Sequence, residues 1–176
     1  IDISLLDSPV SVLANQARNY VICGKVPKAM GNEHPNIVSY QTCVTAVGHI
    51  MIAAGNYREF AALCKVIEAE AISANARFAT NRGRVELRSE LIPALAPFFK
   101  AQTTAEWISA LEADAVPCGQ INTLDQVFAD QQVLARGLVH ELPLGGGGKV
   151  ASVGNPIVFS QTPNRYSHAS PGLGQD

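Results

Sequence analysis

Ser39-Tyr40-Gln41-Thr42-Cys43-Val44-Thr45-Ala46-Val47-Gly48-His49-Ile50-Met51-Ile52-Ala53-Ala54-Gly55-Asn56 is the stretch whose reading decides the fold class. Ser39 to Ala46 is strand-like, because Tyr40, Thr42, Val44 and Thr45 favour extended backbone. Val47-Gly48-His49 supplies a turn, and Ile50 to Ala54 returns as a second strand. A helix follows at once. Asn56 is a good N-cap and Glu59 stands three residues later, a variant of the capping box. Phe60, Leu63, Cys64 and Ile67 then form the stripe that this helix buries. A hairpin running directly into a capped amphipathic helix reads as α+β.

Working outward, Leu5, Leu6, Val10, Leu13, Ala17 and Tyr20 recur at spacings of three and four and predict a helix from about Ser4 to Ile22. Pro9 falls near its first turn, where a missing N–H costs little. Gly24 to Pro35, rich in Gly, Pro and Asn, reads as a loop. Downstream, Asn81 is placed to cap a helix over 82–100, with a kink expected at Pro93 or Pro97. Thr103 with Glu106 makes a second capping box before Trp107, Ile108 and Leu111, and Thr123 with Gln126 repeats the pattern before Val127 and Phe128. Val116 to Gly119 reads as a loop between them. Leu138 to Leu142 and Val150 to Val153 read as strands around Gly145 to Gly148, with Ile157 to Phe159 a further short strand. From Ser160 onward the chain is polar and without period, so it cannot fold alone. The expected organisation is a leading helix over 1–24, a compact α+β domain over 25–160 and an extended arm over 161–176.

The 176 residues are 47% hydrophobic and 16% charged, with a formal charge of −2. With no field of one sign, nucleic acid and anionic membrane are poor main partners. The longest apolar run, Ile50 to Ala54, falls far short of the roughly 20 residues needed to cross a bilayer. Ile1 to Asp7 carries two acids and no basic cluster, unlike a signal peptide. No methionine opens the chain, as expected of a piece of something longer. Cys23, Cys43, Cys64 and Cys118 lie far apart with no C-x-x-C pairing, which argues against a zinc site and a disulfide scaffold. A reduced, cytoplasmic protein without a metal is the expectation.

Few residues invite chemistry. Gly145-Gly146-Gly147-Gly148-Lys149 lacks the spacing of a Walker loop and is expected to be a hairpin connection. Gly31-Asn32-Glu33-His34-Pro35-Asn36 gathers a histidine, a carboxylate and two amides between residues that restrict the backbone. His49, His140 and His168 each stand alone, Cys118 lacks a thiolate-stabilising neighbour, and Trp107 reads as core. Arg82, Arg84 and Arg88 are expected on a solvated surface, paired with Glu86 or Glu90. No catalytic constellation emerges.

Taken in order, Ile1-Asp2-Ile3-Ser4-Leu5-Leu6-Asp7, Gly31 to Asn36, Arg77-Phe78-Ala79-Thr80-Asn81, Thr104-Ala105-Glu106-Trp107, Val116 to Asn122, Phe128 to Val133 and Pro171-Gly172-Leu173-Gly174 resemble the C-terminal half of the family III CoA-transferases. That group includes formyl-CoA transferase, the carnitine and bile-acid-inducible proteins and α-methylacyl-CoA racemase. The resemblance implies the small α+β domain of an interlocked homodimer, and acyl-CoA with a carboxylic acid as substrates. No covalently bound cofactor is implied. It implies an aspartate nucleophile upstream of Ile1, so no catalytic residue is assigned here; neither Asp2 nor Asp7 inherits the role. Gly31, Asn32, Glu33, His34 and Pro35 occupy the place of the family's glycine loop, which covers the active site. A glycine run is replaced there by Asn, Glu and His, which argues against formyl-CoA as substrate. The expected function is a portion of a CoA-transferase that supplies lid and dimer contacts and is inactive alone. The alternatives are a free-standing acyl-CoA-binding or self-associating module, or a piece of a racemase.

Overall fold

A computed structural model describes residues 4–174. Asp2, with the ends of the predicted leading and trailing segments, lies outside the described residues. The chain forms two compact units, one through Ile121 and one from Asn122.

In the first unit, β1 (Tyr40–Val44) and β2 (His49–Ala53) form the predicted hairpin, and β3 (Cys118–Gln120) completes an antiparallel sheet in the order β1-β2-β3. Gln41 pairs with Ile52, Cys43 with Ile50, and Ile52 with Cys118. β3 corrects the loop expected at 116–119. Three residues show no alternation, and the strand exists only because β2, remote in sequence, offers it a ladder. His49 likewise belongs to β2 rather than to the turn.

α3 (Tyr57–Val66) begins as expected: the Asn56 side chain accepts from the Glu59 N–H at 2.9 Å, and the Glu59 carboxylate accepts from the Gly55 and Asn56 N–H groups. Phe60, Leu63, Cys64 and Ile67 are all buried. They pack with Ile50 and Ile52 of the sheet, Leu91, Leu95 and Phe99 of α6 (Arg88–Phe99), and Trp107 and Leu111 of α7 (Thr104–Ala113). Each such large side chain contributes roughly 1.5–3 kcal/mol through burial. The Trp107 indole N–H donates to the Phe99 carbonyl at 2.7 Å, so its one polar atom is satisfied within the core.

Two helices depart from expectation. The single helix over 4–22 is two, α1 (Asp7–Val12) and α2 (Ala14–Cys23), broken where Ala14 takes φ +40°. The helix over 82–100 is also two, with Thr80 rather than Asn81 as the cap of α5 (Asn81–Glu86), and the break at Leu87 rather than at a proline. α6 runs straight through Pro93 and Pro97 because both rings face solvent, as does Ser89. The carbonyl that loses its partner to Pro93 is therefore open to water, while Leu91, Leu95 and Phe99 hold the other face in the core. A short α4 (Glu70–Ser73) and a single 3₁₀ turn at Ala76–Phe78 link α3 to α5.

The second unit contains α8 (Leu124–Ala129), α9 (Gln131–Ala135), and a hairpin of β4 (Val139–Pro143) and β5 (Lys149–Val153). The Gln126 side chain accepts from the Thr123 N–H at 2.9 Å, as the capping pattern predicts. Asp130 caps α9, which the sequence reading does not anticipate. Gly147 and Gly148 turn the hairpin with φ of 94° and 86°, a conformation that suits glycine. Ile157 to Phe159 is not a strand. The arm beyond is irregular yet tied down: Tyr166 stacks on His140 with ring centres 3.8 Å apart, and its hydroxyl accepts from the Asn155 N–H at 2.6 Å.

Candidate functional site

The loop at Gly31 to Asn36 leaves α2 and enters β1, and its polar side chains are bound rather than merely solvated. Gly31 sits at φ +58°, which turns the chain after Met30. Asn32 donates from its side-chain amide to Thr42 Oγ1 at 3.2 Å. Glu33 accepts from Arg88 at 2.9 Å, and the same guanidinium donates to the His34 carbonyl and, at 3.4 Å, to that of Ile37. Pro35 is half-buried. Asn36 and Asn19 exchange reciprocal amide hydrogen bonds at 3.1 Å, which ties the loop to α2.

His34 is the most constrained member. Its ring stacks on Tyr40 at 5.1 Å between centres, and its N–H donates to the Tyr40 carbonyl at 3.0 Å. Nδ1 accepts from the Asn36 backbone N–H at 3.1 Å. With Nδ1 committed as acceptor, the neutral ring carries its proton on Nε2, and the Asn15 amide 2.9 Å away must present its oxygen. Burial, and then the Arg88 charge, hold the His34 pKa below the ordinary histidine value. The ring thus braces the loop, with Tyr40 against its face and the Asn36 N–H on its Nδ1.

The cations that hold this loop were expected on the surface. Arg84 is instead 1% exposed, donating to the Val38 carbonyl at 2.7 Å and the Phe78 carbonyl at 3.0 Å, with its guanidinium 4.5 Å over the Phe60 ring. Arg88 turns inward to the loop; only Arg82 keeps the predicted partner, Glu86, at 2.8 Å. Glu90 pairs with Arg77 instead, at 2.7 Å. Asn81, expected as a cap, joins the same framework: its oxygen accepts from the Val38 N–H and its amide donates to the Asn36 carbonyl. The spacing of Arg82, Arg84 and Arg88 was the available signal, since Arg84 and Arg88 stand four residues apart on one face and Arg82 on the other, so the three cannot all share the solvent side. The carbonyls that accept from Arg84 and Arg88, those of Val38, Phe78, His34 and Ile37, leave no mark in a sequence.

Beside the loop lies a cleft of about 570 Å³, lined in part by Asn19, Lys25, Lys28, Met30, Pro35 and Asn36. Neither lysine makes an ion pair among the described residues. Of the other candidates, His49 begins β2, His140 stacks on Tyr166, and His168 meets Ser167 at 2.8 Å. Burial raises the Cys118 thiol pKa. No cluster of three or more His, Cys, Asp or Glu suited to a metal occurs among the described residues. Nor is any described helix long and apolar enough to cross a membrane.

Comparison with known proteins matches residues 1–176 to CoA-transferase family III. The chain belongs to this family. It is 41% identical over 175 residues to a succinate–glutarate CoA-transferase of Agrobacterium fabrum, covering 99% of this chain and 44% of that protein. It is 38% identical to a human succinyl-CoA:glutarate CoA-transferase, covering 99% of this chain and 40% of that one. Among solved structures, a CaiB/BaiF family protein from Brucella suis superposes with a TM-score of 0.77 at 39% identity, over 99% of this chain and 45% of its own. The family III chain thus spans less than half the length of these relatives.

Proposed function

We propose that this chain forms the lid-bearing portion of a CoA-transferase that exchanges CoA between two dicarboxylic acids. The observation that carries the reading is the 41% identity, across nearly the whole chain, to a protein named for succinate and glutarate. The nucleophilic aspartate and most of the CoA site belong to the part of the relatives that this chain does not cover. Gly31, Asn32, Glu33, His34 and Pro35 contribute a rigid cover over the reacting thioester rather than a reacting group. An acyl intermediate on a carboxylate needs protection from water, which a loop held over the site supplies. Lys25 and Lys28 on the neighbouring cleft suit an anionic ligand.

The transferase reading is favoured over a racemase because the relatives at 41% and 38% identity are both named CoA-transferases. Homodimerisation and inactivity of the isolated chain belong to the same proposal. A chimera tests it: the matching region of the Agrobacterium fabrum enzyme is replaced by this chain, and glutaryl-CoA formation from succinyl-CoA and glutarate is followed. Exchange by the chimera and none by the isolated chain is the expected result. A chimera that elutes as a folded protein yet exchanges nothing would overturn the transferase reading. Exchange by the chain alone would overturn its accessory role.

A further inference from the structure

Arg88 is the first residue of α6, one step past the break at Leu87. A cation there opposes the helix dipole, whose N-terminal end favours negative charge. Arg88 nevertheless turns inward and directs its donors at the loop, reaching Glu33 and the carbonyls of His34 and Ile37. The loop's other ties are neutral: Asn32 to Thr42, Asn36 to Asn19 and to Asn81, and the His34 ring on Tyr40. Neutral bonds at an exposed surface exchange readily with water, whereas charge-assisted ones are roughly twice as strong. Arg88 is thus the one ionic tie of the loop among the described residues. Leu91, Leu95 and Phe99 fix α6 in the core, so this guanidinium sets the loop's position against the most rigid part of the unit. It also lines the cleft of about 570 Å³ together with Pro35 and Asn36, at the line where loop and cleft meet.

We propose, on the transferase reading, that Arg88 is a positioning residue that sets how the acyl intermediate is divided between transfer and water. Arg88 touches no reacting atom and acts through the loop it holds. In transfer, each thioester consumed is replaced by another, since CoA passes from one carboxylic acid to the other. When water enters instead, its oxygen bonds the acyl carbon, and the bond from that carbon to the enzyme carboxylate breaks. Of the two protons of that water, one goes to solvent and one to the displaced CoA thiolate. The products are the free acid, CoA thiol and the regenerated carboxylate, so the thioester is lost. A loop that swings away from α6 opens this route, and the three bonds from one guanidinium keep it shut.

The test uses the chimera with the Agrobacterium fabrum enzyme, supplied with succinyl-CoA and glutarate. Glutaryl-CoA and free CoA are separated by chromatography, and the enzyme-free rate of thioester loss is subtracted. Free CoA formed per glutaryl-CoA is the readout, because a variant that merely unfolds loses both products together. Arg88→Met is expected to raise this ratio about tenfold, the factor that loss of one charge-assisted bond puts on loop opening. Arg88→Lys keeps one ionic bond to Glu33 but lacks the fork that spans the two carbonyls, so its ratio is expected between those of Arg88→Met and the unaltered chimera. Should Arg88→Met fail to fold, the Arg88→Lys ratio decides. An unaltered chimera that makes no glutaryl-CoA would overturn the transferase reading and the role of Arg88 with it. Exchange by the unaltered chimera, with the same ratio in the folded variants, would overturn the role of Arg88 alone.

Discussion

Arg88 holds the loop by three acceptors at once, Glu33 and the carbonyls of His34 and Ile37, with its side chain only 14% exposed. Arg88→Met keeps the stem's packing and removes every donor. It is expected to cost about 1–3 kcal/mol, because the carbonyls and the carboxylate lose charge-assisted bonds while partly shielded from water. The loss should appear as faster amide exchange at 31–37 with little change in β2 or α7. His34 brings pH dependence to the same loop. Its pKa is lower folded than unfolded, so the unfolded chain takes up the proton first as pH falls. Its stabilisation is present above the ordinary value of about 6.5 and is lost as pH falls below it. Melting curves recorded at neutral and at acidic pH should therefore separate wild type from His34→Asn. The asparagine oxygen can accept from the Asn36 N–H without titrating, so that variant should be the less pH-sensitive of the two.

At the scale of elements, the capping patterns carry over most directly from sequence to structure. Asn56 with Glu59 and Thr103 with Glu106 both close as reciprocal boxes, since each depends on residues three apart and on nothing else. Proline is the opposite case. Sequence rules place a kink at Pro93, yet α6 continues, because core packing of Leu91, Leu95 and Phe99 outweighs the lost hydrogen bond on the wet side. Pro93→Ala restores the donor on an exposed face and should stabilise the first unit. A gain of roughly 1–2 kcal/mol is expected, the helix term of about 3 kcal/mol being partly offset by a more flexible unfolded chain. Thermal or urea unfolding at neutral pH checks this, and an unchanged midpoint would mean that the helix had already relaxed around the ring.

At the scale of the whole molecule, the helices of the leading segment do not bury their apolar residues. Leu5, Leu6, Val12, Val21, Ile22 and Val26 are each more than 70% exposed. Exposed apolar side chains so concentrated in one segment are a surface for association. The isolated chain is therefore expected to self-associate as concentration rises, and Leu6→Glu with Val21→Glu to shift it toward monomer. Light scattering across a concentration series reads the outcome directly. A monomer at all concentrations would show that this segment needs no partner.

The chain's own order of residues determines what is local: the hairpin at 40–53, the capping boxes, the helix stripe of Phe60, Leu63, Cys64 and Ile67, and the glycine-turned hairpin at 139–153. In each case the interacting residues lie within about a dozen positions, so periodicity and turn chemistry suffice. The place of the Gly31 to Asn36 loop was legible too, but not what holds it. Arg84 reaches Val38, Arg88 reaches Glu33, and Asn81 reaches Asn36, across separations of more than forty residues. Charged side chains read from sequence default to solvent, because burying a cation is unfavourable unless acceptors are already aimed at it. Here the fold aims backbone carbonyls at Arg84 and Arg88, and a carbonyl is the one group that every residue shares. β3 is silent for a related reason, since a three-residue strand is specified by the ladder it joins. Tertiary structure alone decided which cations are buried and where the helices break.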